Sequence, residues 1–501
     1  MEGIKRALAV SIFSKGWSAA LSLLAVPIYL QYLGVEAYGV VGLFTTFTIL
    51  VAFLDFGLGV TLTRELAGVA VNKITKEDGR DILRTCELVY FAVALMLYAL
   101  VFFFSQSVAE YWLQADTLSI FEIANSLALA GIALAIQWPS TLYAAGLTGM
   151  HKQFELGIAT TFFSTVRVFI TVSFLYIQAD LKSFFYAQVA ASLIQTLTLR
   201  WILWKCLELK GHWSKLKMSF IKSSLVFAGG MTGISISSIV ITQMDKVILS
   251  KVLSLEAFGV YVISATLATG LYVIVSPFFS VIYPRFSTLL HTGDAKKLQE
   301  FYHTTSQAIA LLVMPISIVL IIYSKNVLFV WTGDKLISEQ GGLILSLMVF
   351  GNLCNGIMNV PYAMQLASGW TKLALTYNIF SMIFLLPAIW WAATNYGGLG
   401  GAAMWALCNF FYLCIAPHIM HRRLLKKEKN AWYFNDVILP ILACCAVFFA
   451  IGNFEIEGGR AYEALMLILF WLLATVFLLI ALPRIRYRVF FYLRGFSFKK
   501  S

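Results

Sequence analysis

Arg167 stands in the middle of TTFFSTVRVFITVSF, residues 160–174, a stretch that is otherwise uncharged and largely apolar. With 100° between successive residues of a helix, five polar residues fall within one stripe about 60° wide. They are Thr160, Ser164, Arg167, Thr171 and Gln178. A guanidinium at the centre of a bilayer costs about 2.5–3.5 kcal/mol, so it needs a carboxylate or a water-filled cavity. The forked donors of arginine match phosphate oxygens, which makes Arg167, Thr160, Ser164 and Thr171 candidates for binding an anion.

Two aspartates in apolar surroundings offer a structural alternative, because either Asp55 or Asp245 could neutralise Arg167 in an ion pair. Both aspartates are also candidates for coupling transport to H⁺ or Na⁺, although a bond to nearby backbone or to an arginine would equally explain Asp55. Lys246 and Arg64 are further candidates for binding substrate, and Arg64 fits equally well as a snorkelling anchor at a span end. The sequence leaves these interpretations open.

The composition indicates the scaffold that must position these residues. Hydrophobic residues make up 60% of the 501-residue chain and charged residues 12%, against about 45–50% and about 25% in soluble domains. A spanning helix needs about 20 mostly apolar residues. The fold class predicted is therefore an all-α polytopic membrane protein with about 14 transmembrane helices. The predicted spans are 8–32, 39–62, 86–108, 121–145, 157–178, 183–204, 228–252, 257–282, 306–328, 342–366, 373–394, 398–420, 436–452 and 463–482.

Basic residues are concentrated in every second one of the segments that join these spans. With the N-terminus inside, the inward segments carry 29 Lys and Arg and the outward segments carry 5. This bias predicts that both termini are cytoplasmic. It also accounts for most of the net charge of +12 without any nucleic-acid partner. The basic, aromatic residues 483–501 and the linker segment 209–220 are predicted to lie on the anionic inner surface of the membrane.

An internal repeat divides the chain. LGVEAYGV (33–40) recurs as LSLEAFGV (253–260) with five of eight residues identical. An arginine, a charged inward helix, an outward tryptophan and a proline follow each octet at offsets of 219–222. Two repeated bundles with a substrate site between them are a transporter arrangement. The predicted parts are a six-helix bundle at 1–204, a basic linker at 205–227, a second six-helix bundle at 228–420, two additional helices at 421–482 and a basic tail at 483–501.

Catalytic and cofactor motifs are absent from the sequence. It contains no GxxxxGK[ST], GxSxG or HExxH pattern, and its seven cysteines form no CxxC. We therefore expect a transporter and not an enzyme, with no cofactor and no metal. Without a nucleotide site, the energy must come from an ion gradient or from the gradient of the substrate.

Residues 25–67 resemble the opening of the Wzx-type polysaccharide flippases. The resemblance rests on a proline-bearing first span, an LG-x-E-x-YG turn, a D-x-G-x-G stretch and a following arginine. MDKVILSKVLSLEAFGVYVIS (244–264) is similar to the D-K-x-I-L…G-x-Y signature of that family. Asp55, Arg64, Asp245 and Lys246 stand on these motifs, whereas Arg167 rests on its helical stripe alone. Ser276 stands where the second half would repeat Asp55.

The resemblance implies a flippase that carries undecaprenyl-pyrophosphate-linked oligosaccharide, an O-antigen or capsule repeat unit, across the bacterial inner membrane by alternating access. It implies a cationic cavity, a glycan lipid as partner, and a polysaccharide polymerase and chain-length regulator as further candidate partners. The alternatives of the same fold are a lipid II flippase and an ion-coupled multidrug extruder. A membrane oligosaccharide polymerase or ligase is a weaker alternative, because the outward loops are short and carry few basic residues.

Overall fold

The structure is a computed structural model, and it describes residues 2–55, 57–207, 214–217, 236–451, 456 and 458–487. These residues form helices joined by short turns. Their only strand-like pairing is one isolated bridge between Gln114 and Ser254. The predicted all-α class is confirmed. Most of the predicted linker at 205–227 and of the basic tail at 483–501 lies outside the described residues.

The helices are numbered in chain order. The first set is α1 (Glu2–Val51), α2 (Leu58–Ala70), α3 (Lys76–Ser107), α4 (Ile120–Gln137), α5 (Pro139–Gly149), α6 (Gln153–Ile177), α7 (Leu181–Cys206) and α8 (residues 236–252). Short 3₁₀ and π turns at Ala52–Asp55 and Val108–Trp112 follow α1 and α3. Asp245 and Lys246 lie within α8, inside the predicted span 228–252.

The second set is α9 (Leu255–Thr269), α10 (Leu271–Thr292), α11 (Ala295–Ile322), α12 (Ser324–Thr332), α13 (Lys335–Ala367), α14 (Lys372–Arg423), α15 (Lys429–Ala431), α16 (Leu439–Ile451) and α17 (Arg460–Ala481). A π turn at Trp432–Ile438 leads into α16. The proline of the repeat that follows the second octet is Pro361, and α13 continues through it. In a membrane helix, neighbouring groups can satisfy the one carbonyl that a proline leaves free.

In the described part of the chain, ten helices are long and apolar enough to cross a membrane. Two of them, Val10–Val51 and Lys372–Arg423, each cover two predicted spans. They break at Gly34 and Gly397, where φ is 78° and 60°, a backbone that glycine adopts without strain. The predicted sixth span corresponds to α7, which is not among the ten. Of the predicted seventh span, 228–252, the structure describes residues 236–252, which form α8. Every predicted span thus overlaps a helix.

The chain divides into two compact units, Met1–Val262 and Ile263–Ser501. Within the first unit, α1 packs on α6, α4 on α3 and α7, and α2 on α5. Within the second unit, α13 packs on α10, α11 and α14, and the additional helices α16 and α17 pack on α11. Residues 236–262 group with the first unit, so this division does not follow the repeat. The bundle boundaries drawn from the repeat remain predictions.

The two octets contact each other reciprocally inside the first unit. A Cβ at Gly39 would lie 2.6 Å from the carbonyl oxygen of Leu255, and one at Gly259 would clash with the carbonyl oxygen of Val35. Gly39 and Gly259 are the same octet position, and so are Val35 and Leu255. Helix backbones approach this closely only where a small residue removes the side chain. The repeated glycine is therefore explained by a contact that the two repeats make with each other.

Candidate functional site

Arg167 projects from α6 toward α7 and is partly exposed. Its Nη1 donates to the side-chain oxygen of Gln188 at 2.8 Å and to the hydroxyl of Ser192 at 3.4 Å. Its Nη2 donates to the side-chain oxygen of Gln195 at 2.9 Å. All three partners are neutral, so they orient the guanidinium without cancelling its charge.

These three partners occupy one face of α7. Gln188, Ser192 and Gln195 are spaced at i, i+4 and i+7, which places them on one helical stripe. Sequence reasoning had not singled them out. A helical-wheel plot of the sixth span would have found them, because polar residues at this spacing in an apolar segment indicate a stripe that faces another polar group.

The predicted polar stripe on α6 is only partly used around Arg167. Thr171 is fully buried, donates to the backbone carbonyl of Arg167 at 2.7 Å and accepts from Gln188 at 3.1 Å. Thr160 donates to the Leu156 carbonyl at 2.8 Å, and Ser164 donates to the Thr161 carbonyl at 3.0 Å. The structure thus brings Thr171 into the Arg167 network, whereas the hydroxyls of Thr160 and Ser164 bond to their own helix.

Asp55 has partners other than Arg167. It ends the 3₁₀ turn after α1, and its carboxylate accepts from the backbone N–H of Gly59 at 3.0 Å. The hydroxyl of Tyr90 also donates to it, and the Tyr90 ring stacks on Trp138 with centroids 4.3 Å apart. Asp55 therefore holds the start of α2 against α3, which matches the backbone-bonding interpretation.

Asp245 is 3% exposed in α8 and is also engaged elsewhere. The hydroxyl of Tyr261 donates to it at 2.7 Å, and the ammonium of Lys246 lies 3.4 Å from its other oxygen. Adjacent helical residues point about 100° apart. The contact nevertheless forms, with the same ammonium 3.2 Å from the Thr242 carbonyl. Asp245, Lys246 and Tyr261 form one polar group.

Arg64 lies on an exposed part of α2 and pairs with its neighbour Glu65 at 2.6 Å. Arg64 is not among the hydrogen-bond partners described above for Arg167. Across the residues that the structure describes, Arg167 makes no ion pair. The structural alternative, a salt bridge from Arg167 to Asp55 or Asp245, is therefore absent there.

A second polar centre in the first unit escaped sequence reasoning. Glu87 of α3 is 1% exposed. One of its oxygens accepts from Tyr143 at 2.8 Å, from Arg200 at 2.9 Å and from Trp204 at 2.8 Å. Its other oxygen lies 3.2 Å from Arg84. A lone glutamate near a predicted span end gave no signal of this role, because its partners come from α5 and α7.

Solved structures of similar fold include proteins named as a flippase and as transporters. The lipid II flippase MurJ in an inward closed conformation aligns with a TM-score of 0.68 at 12% identity, covering 94% of this chain and 97% of that one. An inward-facing multidrug resistance MATE family transporter of the MOP superfamily aligns with a TM-score of 0.64 at 13% identity, covering 81% of this chain and 96% of that one. The chain therefore has the MOP-superfamily fold.

Sequence comparison gives the family. A protein of Shigella flexneri named "Putative O-antigen transporter" is 21% identical over 375 residues, which is 75% of this chain and 87% of that protein. Residues 31–340 match the family described as "Polysaccharide biosynthesis protein". Since that match covers more than half of the chain, the protein belongs to the polysaccharide biosynthesis protein family.

Proposed function

We propose that the protein is a flippase that moves an undecaprenyl-pyrophosphate-linked oligosaccharide, an O-antigen or capsule repeat unit, from the inner to the outer leaflet of the bacterial inner membrane. Both termini would be cytoplasmic, as the bias of basic residues predicts. The sugar and pyrophosphate cannot cross about 30 Å of hydrocarbon unaided. Alternating access would carry this polar part through the protein while the lipid tail stays in the bilayer.

One observation carries the proposal. Arg167 is a membrane-depth cation whose described partners, Gln188, Ser192 and Gln195, are all neutral. Such a charge is costly in a bilayer and is characteristic of a functional site. Its bidentate fork suits a pyrophosphate. Thr171 would position the site through Gln188, and the remaining candidates Thr160, Ser164, Arg64 and Lys246 would line the path of the substrate.

The test is a flipping assay with the purified chain in proteoliposomes. A fluorescent undecaprenyl-pyrophosphate-linked oligosaccharide reports each transferred headgroup by its protection from a membrane-impermeant quencher. Arg167→Ala should lower the initial rate by about tenfold or more, since one charge-assisted contact is worth about 1.5–3 kcal/mol. Arg167→Lys should be intermediate, because it keeps the charge and loses the fork.

Ser173→Ala is the matched control, since the Ser173 hydroxyl donates to the Phe169 carbonyl of its own helix. It should leave the rate unchanged. Wild-type rates in both Arg167→Ala and Arg167→Lys, at equal amounts of inserted protein, would refute the proposal.

A lipid II flippase is the second candidate, favoured by the TM-score of 0.68 with a structure of that name. Lipid II added to the same assay separates the two candidates. Transport of lipid II but not of the oligosaccharide lipid would assign the second function.

Asp55 and Asp245 are the candidates for ion coupling. We propose Asp245 as the stronger one, because it is buried beside Lys246 and Tyr261. Asp245→Asn should abolish any acceleration of flipping by an imposed H⁺ or Na⁺ gradient while leaving flipping without a gradient measurable. A gradient response equal to that of the wild-type protein would exclude this role.

A further inference from the structure

A cavity of about 350 Å³ opens where α3 and α7 meet, away from Arg167. It is lined by Arg80 of α3 and by Trp201, Trp204 and Lys205 of α7. Two cations and two indoles thus surround one space. None of these residues takes part in the substrate path proposed above.

The cations lie on the faces of the tryptophans. The guanidinium carbon of Arg80 is 5.3 Å from the ring centre of Trp204, and the ammonium of Lys205 is 4.9 Å from that of Trp201. Attraction between a cation and the face of an aromatic ring holds the cation in place. The two basic groups are therefore arranged in advance around the cavity.

Glu87 holds Trp204, one of the residues that line the cavity, in position. It accepts from the indole N–H of Trp204 at 2.8 Å and from the Nε of Arg200 at 2.9 Å. The Arg200 guanidinium lies 5.7 Å from the same Trp204 ring. Two acidic residues of α3 close to Arg80 in sequence also have partners: Asp81 accepts from the backbone N–H of Lys215 at 2.8 Å, and Asp78 pairs with Lys217.

The position favours a lipid over a soluble ligand. Trp201 is 62% exposed, and Leu197 one turn earlier is 54% exposed on the same helix. Tryptophan beside basic residues at the end of an apolar helix marks the level of lipid headgroups. Basic pockets between helices on the cytoplasmic side of a membrane suit anionic headgroups.

We infer that this cavity binds the phosphate of an anionic lipid headgroup through Arg80 and Lys205, with Trp201 and Trp204 as its aromatic walls. The phosphate can come from an ordinary anionic lipid or from the pyrophosphate of the lipid-linked substrate. The inference stands independently of the proposed flipping activity, since it concerns equilibrium binding at a separate place.

Native mass spectrometry of the full chain in detergent tests it, with three titrations. The probes are phosphatidylglycerol, zwitterionic phosphatidylcholine and undecaprenyl pyrophosphate. Wild-type protein should prefer phosphatidylglycerol to phosphatidylcholine. Lys205→Gln and Arg80→Gln should each weaken binding of phosphatidylglycerol by about fivefold, as expected for one basic residue at a membrane surface.

Lys182→Gln is the matched control, because Lys182 also lies over an aromatic ring, that of Phe121 at 5.6 Å. It should leave binding unchanged. If Arg80→Gln fails to fold, exposed Lys205→Gln and Trp201→Leu carry the test. Weaker binding of phosphatidylglycerol, of undecaprenyl pyrophosphate or of both supports the site and identifies the source of the phosphate. Wild-type affinity in Lys205→Gln for both anionic probes, or an equal loss in Lys182→Gln, overturns it.

Discussion

The polar networks of the first unit, around Arg167 and Glu87, join helices of its own bundle, whereas the buried charged cluster of the second unit attaches the additional helices. In the first unit, Arg167 binds α7 and Glu87 joins α3 to α5 and α7. In the second unit, His303 of α11 contacts Asp436 and, at 2.9 Å, Glu428. Asp436 also accepts from Gln307 at 3.0 Å. These carboxylates belong to the segment that leads into α16.

The repeat sharpens the contrast. At an offset of 220 from Arg167 the second half has Pro387, and residues 373–421 contain no Asp, Glu, Lys or Arg. Asparagines provide polar contacts there, such as Asn355 to Asn409 at 2.9 Å. The two repeats therefore share a helical scaffold, while the charged candidates for transport chemistry in spans five and six belong to the first alone. Four experiments would break or sharpen this comparison.

The largest effect is expected at Glu87. Glu87→Ala leaves Arg200, Trp204 and Tyr143 without their shared acceptor and should lower the free energy of unfolding by about 3 kcal/mol. Thermal unfolding in detergent measures it. Glu155→Ala, which removes the exposed partner of Lys152, should change the midpoint far less. Equal midpoints for Glu87→Ala and wild type would show that internal charges do not stabilise the first unit.

Gly259→Ala should cost about 1–3 kcal/mol, because the added Cβ meets a carbonyl oxygen and forces two helices apart. Gly39→Ala should cost a similar amount if the octet contact is reciprocal. Gly16→Ala is the control, since nothing lies within 4 Å of its added Cβ, and alanine should favour that helix. A large loss in only one of the two octets would contradict a symmetric contact.

Asp436→Asn should have a smaller and local effect of about 1–2 kcal/mol, because the amide keeps one of two acceptor oxygens. Hydrogen exchange read by mass spectrometry should rise in 429–451 and 460–481 and stay unchanged in α6 and α7. Faster exchange throughout the first unit would refute the separation of roles.

The smallest effect concerns two helix caps at matching repeat positions. Thr75 accepts from the N–H of Asp78 at the start of α3, and Asp294 accepts from that of Lys297 at the start of α11. The backbone N–H and ammonium of Lys297 hold the pKa of Asp294 below its usual value. A carboxyl with a lowered pKa stabilises above its unfolded pKa of about 3.9 and loses that effect as pH falls through the folded pKa.

Asp294→Ala should therefore lower the unfolding midpoint slightly at pH 7, and the difference from wild type should vanish toward pH 3. Thr75→Ala should show a much weaker pH dependence, since a hydroxyl does not titrate. A deficit in Asp294→Ala that persists at the lowest pH would contradict a cap that acts through its charge.

Much of the scaffold followed from the chain alone. Each of the fourteen predicted spans overlaps a helix of the described residues, because the thickness of a bilayer fixes the length of the apolar run that a crossing helix needs. The octet offset of 220 pairs Asp245 with Ala25 of the first predicted span. The repeat therefore predicts that Asp245 lies inside a helix, as it does in α8, whereas hydropathy alone would end that helix earlier. Long-range partners were not predictable in this way. The network of Gln188, Ser192 and Gln195 depends on how α6 and α7 face each other.

The sequence by itself determined the helical fold class, the polar stripe that contains Arg167, and the internal repeat of the octets at 33–40 and 253–260. These depend on local periodicity and on the free energy of transferring residues into a bilayer. Only the tertiary structure decided that Arg167 contacts amides and a hydroxyl instead of Asp55 or Asp245, and that Glu87 gathers Tyr143, Arg200 and Trp204. A side chain's partners are set by helix packing, and helices distant in sequence meet only in the folded chain.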